Sequence, residues 1–93
     1  MKVFINRREL NHCVPSYFDE VIFERLVKEF IVNRFNLEPT NYSKDGLYID
    51  IDLKTLDESE FNGSKFYRPK DYSYAIFYIN GQFVLLFRKQ FKR

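Results

Sequence analysis

The sequence predicts an α+β domain: a short N-terminal strand, one long helix, then a three-stranded antiparallel sheet ending in a β-hairpin. Three observations predict it. Apolar residues recur at helical spacing after Ser16, apolar and polar residues alternate from Leu47 to Leu53, and Asn80-Gly81 sits between two apolar runs.

Lys2 to Ile5 is a short apolar opening and reads as an edge strand, and polar Asn6 to Pro15 reads as a loop. Ser16 is placed to cap a helix from Tyr17 to Phe35, because Asp19 and Glu20 crowd the first turn, where the helix dipole favours acids. Asn36 is the C-cap residue, and Pro39 closes off continuation. Ile22, Phe23, Leu26, Val27 and Phe30 make the core-facing stripe, with Leu26 and Phe30 expected against Ile49 and Ile51. Phe18, Val21, Ile31, Val32 and Phe35 fall on other faces, so the helix is covered on more than one side.

Asn41 to Gly46 reads as a turn. In the strand that follows, Leu47, Ile49, Ile51 and Leu53 face the core, while Tyr48, Asp50 and Asp52 face away. Lys54 to Asp71 reads as a long polar connection. Asn-Gly favours a two-residue type I′ turn. That turn sets Ile79 opposite Gln82, Tyr78 opposite Phe83, Ile76 opposite Leu85 and Tyr74 opposite Phe87. Both faces of this hairpin are apolar, and one helix covers only one.

A chain of 93 residues fits a single domain, residues 1–93. Its hydrophobic content of 45% and aromatic content of 19% exclude a disordered chain. The lone Cys13 excludes an internal disulfide, no apolar run is long enough to span a bilayer, and no h-region follows Arg7-Arg8. The chain is therefore read as cytoplasmic. Alanine occurs once, while Phe, Tyr, Ile, Asn and Lys abound, the bias of an AT-rich gene such as low-GC bacteria and their phages carry. Charge is unevenly spread: net +1 over residues 1–35, −5 over 36–62 and +6 over 63–93, which sums to +2 and points to oriented contact with a partner.

No complete catalytic, metal or nucleotide motif is present, so no cofactor is expected. Asp50 and Asp52 leave one strand face and could hold Mg²⁺ with Asp45, Asp57 or Glu58, but solvated carboxylates on a half-buried strand are the simpler reading. His12 and Cys13 lack the further ligands of a zinc site and the orienting group of a nucleophile pair. A basic C-terminal group, Arg68, Lys70, Arg88, Lys89, Lys92 and Arg93, is interleaved with Tyr67, Tyr72, Tyr74 and Phe91. Cations and stacking aromatics together can bind nucleic acid, although the near-neutral chain favours a solvated hairpin end.

The stretch from Phe66 to Tyr72, then Tyr74 to Tyr78 and Phe87-Arg88-Lys89, resembles the C-terminal sheet of RelE/ParE-type toxins. The resemblance implies a ribonuclease or partner-binding face using Arg68, Arg88 and Lys89. The first half departs from that family, which has an early helical hairpin. The reading favoured for the whole chain is a non-enzymatic interaction protein, a phage- or mobile-element-type inhibitor that occludes a host protein's surface. A nucleic-acid binder or RelE-like ribonuclease is the alternative. The expected contact residues are Tyr72, Tyr74, Tyr78, Phe83, Phe87, Arg68, Arg88 and Lys89. A homodimer through Tyr74, Tyr78 and Phe87 is expected, and no membrane contact.

Overall fold

The computed structural model describes residues 1–15 and 19–88. It corrects the expected sheet of three strands: the chain forms one seven-stranded mixed sheet. In chain order the elements are β1 (Lys2–Asn6), α1 (Arg7–Asn11), α2 (Glu20–Phe35), β2 (Pro39–Ser43), β3 (Gly46–Asp50), a 3-10 turn at Leu53–Thr55, β4 (Asp57–Phe61), β5 (Ser64–Arg68), β6 (Tyr74–Ile79) and β7 (Gln82–Phe87). Across the sheet they run β2-β3-β1-β7-β6-β5-β4.

Three hairpins supply six strands, and β1 joins them, antiparallel to β3 and parallel to β7. The short opening strand is therefore an interior strand, third of the seven, rather than an edge strand. Its alternation fits that place: Val3 and Ile5 are fully buried on one face, while Phe4 lies on the other against Tyr48. The C-terminal hairpin has the register the Asn-Gly turn requires, with Ile79 opposite Gln82 and Tyr74 opposite Phe87. Asn80 and Gly81 take φ of 50° and 85°. The supposed connection from Lys54 to Asp71 contains a second hairpin of the same kind, turning at Asn62 and Gly63 with φ of 53° and 80°.

Helix α2 begins later than expected. Asp19 is its N-cap, the carboxylate accepting from the Ile22 N–H at 3.0 Å; the expected cap Ser16 and first residue Tyr17 lie outside the described residues. It ends where expected, at Asn36, which is left-handed with φ 57°. The buried stripe is Phe23, Val27 and Ile31, one side of the expected one, and Leu26 and Phe30 are only half-buried. The expected loop also holds α1, capped by Asn6, whose Leu10 is buried in the same core. Glu9 of α1 accepts a hydrogen bond from the Phe87 N–H at 3.0 Å, tying the helix to β7.

The core lies between the helices and one sheet face. Val3, Ile5, Leu47, Ile49, Ile76 and Leu85 come from the strands; Leu10, Phe23, Val27 and Ile31 come from the helices. Among the described residues, no helix is long and apolar enough to cross a membrane.

Candidate protein-binding surface

The two Asn-Gly hairpins bring their tips together. Phe66 pairs with Phe77 across β5 and β6, so the turn after Phe61 and the turn after Ile79 project from the same end of the sheet. Phe61 is 68% exposed, Tyr78 63% and Ile79 42%. Few large apolar side chains of the described chain are so open, and these three meet at one end of the sheet, Phe61 and Ile79 on the open face and Tyr78 on the helix face. Phe83 lies 4.9 Å from the Tyr78 ring and 6.3 Å from the Tyr67 ring, measured between centroids. Together with Lys65 these residues line a shallow cleft of about 730 Å³.

The edge strand β4 runs back from this cleft and is acidic. Strand β4 contributes Asp57, Glu58 and Glu60. Lys65 pairs with Glu58 at 3.3 Å, and Arg68 pairs with Asp57 at 3.9 Å while donating from Nε to Ser59 Oγ at 3.0 Å. The basic side chains of β5 are therefore already engaged with carboxylates of β4. Exposed pairs like these contribute little to stability, but they lower the local positive potential.

The eight expected contact residues do not form one surface. Tyr78 and Phe83 belong to the hairpin-tip cleft. Tyr74 and Phe87 instead pack under the end of α2: Phe35 lies 5.2 Å from the Tyr74 ring and 6.0 Å from the Phe87 ring, and Phe30 lies 5.9 Å from Phe87. They are largely withdrawn from solvent, and the expected dimer contact through Tyr74, Tyr78 and Phe87 does not exist as a single exposed patch. Arg68 lies over the Tyr72 ring at 4.1 Å, which fixes both at the far end of β5. Arg88 borders a different cleft with Glu9, His12, Cys13 and Arg34, and Lys89 lies outside the described residues. Phe61 and Lys65 are not among the residues expected from the sequence; the Asn62-Gly63 dipeptide is the signal that places them on a hairpin.

The other candidates have structural employment. Asp50 pairs with the N-terminal ammonium at 3.6 Å, and Asp52 caps the 3-10 turn by accepting from the Lys54 N–H at 3.0 Å. Asp52 has thus left the strand face it was expected to share with Asp50. Burial pushes the Cys13 thiol up to about 11, the opposite of what a nucleophile needs. Among the described residues no group of three or more His, Cys, Asp or Glu side chains is placed to hold a metal ion.

These features define a mixed-sheet domain with helices on one face and an apolar pair of hairpin tips. No protein family, curated protein or solved structure matches the chain, so the resemblance to RelE/ParE-type toxins gains no support.

Proposed function

We propose that this chain is a non-enzymatic protein-interaction module that acts by occluding a surface of another protein, as small phage- and mobile-element inhibitors do inside the cytoplasm. The observation that carries the reading is the convergence of Phe61, Tyr78 and Ile79, all exposed, on two neighbouring hairpin tips. Rigid aromatic anchors at the centre of a contact supply most of its binding energy. The tips are held by two tight turns, so little backbone order is lost on docking. With Asp57 and Glu58 of β4 matched by Arg68 and Lys65, the tips are mainly apolar, and the partner that fits is a protein presenting an apolar pocket.

The alternative, nucleic-acid binding, has less support. It would use cations beside aromatics, yet β6 and β7 carry no charge and the cations of β5 face carboxylates of β4.

The test compares the native chain with the double variant Phe61→Ser, Tyr78→Ser as bait in the source cell's extract, followed by calorimetry on the purified partner. A saturable complex with negative heat-capacity change, lost in the double variant, supports the reading. Tight binding of RNA or DNA that falls steeply with salt would overturn it, as would a partner held equally well by the double variant.

A further inference from the structure

We propose that the sheet face opposite the helices is the contact between two copies of this chain. The strand register lines up one uncharged row across five strands on that face. Tyr48 stands opposite Phe4, Phe4 beside Val84, Val84 opposite Phe77, and Phe77 opposite Phe66. The Phe4 and Tyr48 rings are 5.0 Å apart, and Phe66 and Phe77 stack at 5.2 Å. Leu86 and Ala75 pair in the neighbouring row. All of these are half-buried, and no described helix covers them. With one layer missing the molecule is a slab, 40 × 35 × 24 Å.

Three features identify the occupant as a second copy. The first is charge. Lys2 stands opposite Asp50 at one corner, and Arg68 stands opposite Asp57 at another. Arg68 is matched by Asp57 and Asp50 by the N-terminal ammonium, while Lys2 lies over the Tyr48 ring at the end of the row; β6 and β7, in the middle of the face, carry no charge. Such a face meets a copy of itself without like-charge repulsion and offers a strongly charged partner nothing. An apolar centre with a polar rim is also the anatomy of a protein interface.

The second is area. Seven strands about 4.8 Å apart, each about 17 Å long, present roughly 600 Å² in projection, and more with side-chain relief. That approaches the ~800 Å² per partner of a standard interface.

The third is the state of the sheet edges. Pro39 and a bulge interrupt β2, and Asp57, Glu58 and Glu60 would repel a second β4. Edge-to-edge pairing is blocked, and sheet-on-sheet packing at about 10 Å remains. Val84 is the middle of the five-residue row, so a two-fold axis runs beside it. Strand alternation puts Phe61 and Ile79 at the tip margin of this same face, outside the row, and Tyr78 on the helix face, so the dimer rests on the row and not on the tips.

Sedimentation of the native chain at tens of micromolar tests it. The expected mass is twice the 11.4 kDa of the chain. Val84→Glu and Phe77→Glu are each expected to give a folded monomer, judged by an unchanged far-ultraviolet spectrum. A measurement on the native dimer covers the case in which either variant fails to fold. In a mixture of isotope-labelled and unlabelled chains, intermolecular contacts are expected from the Val84 and Leu86 methyls to the rings of Phe77 and Phe4. A native monomer overturns the proposal. So does a dimer that survives Val84→Glu, one lost instead in Tyr78→Ser, or a monomer whose Phe4 and Phe77 stack on single-stranded RNA.

Discussion

Replacing Gly46 by alanine should be among the most damaging small substitutions in this chain, and Gly81 supplies the internal control. Both glycines have positive φ, 153° at Gly46 and 85° at Gly81. An alanine at either site carries backbone strain of about 1–2 kcal/mol. At Gly81 nothing lies within 4 Å of the added methyl, so strain is the whole cost. At Gly46 the methyl would collide with the Ile5 carbonyl oxygen and approach the Phe4 ring to 2.8 Å. The ring can swing, but the carbonyl belongs to the ladder between β1 and β3, where Asn6 is paired with Gly46. Displacing that ladder adds an overpacking cost of about 1–3 kcal/mol. The sum, about 2–5 kcal/mol, is a large part of the roughly 5–15 kcal/mol that holds a domain together. Urea unfolding measures both variants: at a slope of ~1–2 kcal/mol/M, Gly81→Ala should lower the midpoint by about 1 M and Gly46→Ala by about twice that or more. Equal midpoints for the two variants would refute the close approach of β3 to β1.

Phe23→Ala should cost about 3–5 kcal/mol, and Phe30→Ala distinctly less, because Phe23 is fully buried and Phe30 half-buried; the reverse order in urea melts would reinstate the stripe read from the sequence. Tyr42→Phe should be neutral or stabilising by up to about 1 kcal/mol, since the Tyr42 hydroxyl is buried with no hydrogen-bond partner; a loss of 2 kcal/mol or more would require a partner for that hydroxyl. Burial raises the Cys13 thiol from 9.0 to about 11, so its contribution is complete below pH ~9 and is lost as pH rises towards 11. Cys13→Ser should shallow the alkaline decline in melting temperature, and the native thiol should react slowly with thiol reagents at pH 8. Rapid labelling of the folded chain would contradict the burial.

The parts of the fold that were legible in the sequence are those whose signal is local. The Asn80-Gly81 turn set the register of β6 and β7, and Asn36 marked the end of α2. The second hairpin carried the same turn signal at Asn62-Gly63, but its strand β4 reads Asp-Glu-Ser-Glu-Phe. An edge strand exposed on both faces has no apolar alternation, so periodicity was silent where turn chemistry was not. Helix α1 is too short for its period to register. The helix stripe was ambiguous because Phe30 and Leu26 flank the true one. Topology was out of reach for a different reason. The placing of β1 between β3 and β7 is a non-local pairing, and nothing in Val3-Phe4-Ile5 distinguishes a central from an edge strand. The misassignment of Tyr74 and Phe87 followed: without the helix position, their face could not be told from a free one.

The same topology decides what the uneven charge can do. Along the chain the acidic stretch, residues 36–62, precedes a basic one, which suggests a molecule with a negative and a positive end. The strand order divides that stretch. Glu38, Asp45 and Asp50 go with β2 and β3 to one edge of the sheet, and Asp57, Glu58 and Glu60 go with β4 to the other. Six strand spacings separate the two edges, about 29 Å, several times the ~8 Å screening length at physiological salt. Between them β6 and β7 are uncharged, and Lys65 and Arg68 on β5 are matched by Glu58 and Asp57. A charge pattern split in this way steers a partner towards either edge but does not orient the whole molecule. On the proposed reading, specific recognition comes from shape and apolar area, at the hairpin tips and on the open sheet face. Raising the salt concentration should accordingly slow association at the tips while leaving the dissociation rate nearly unchanged.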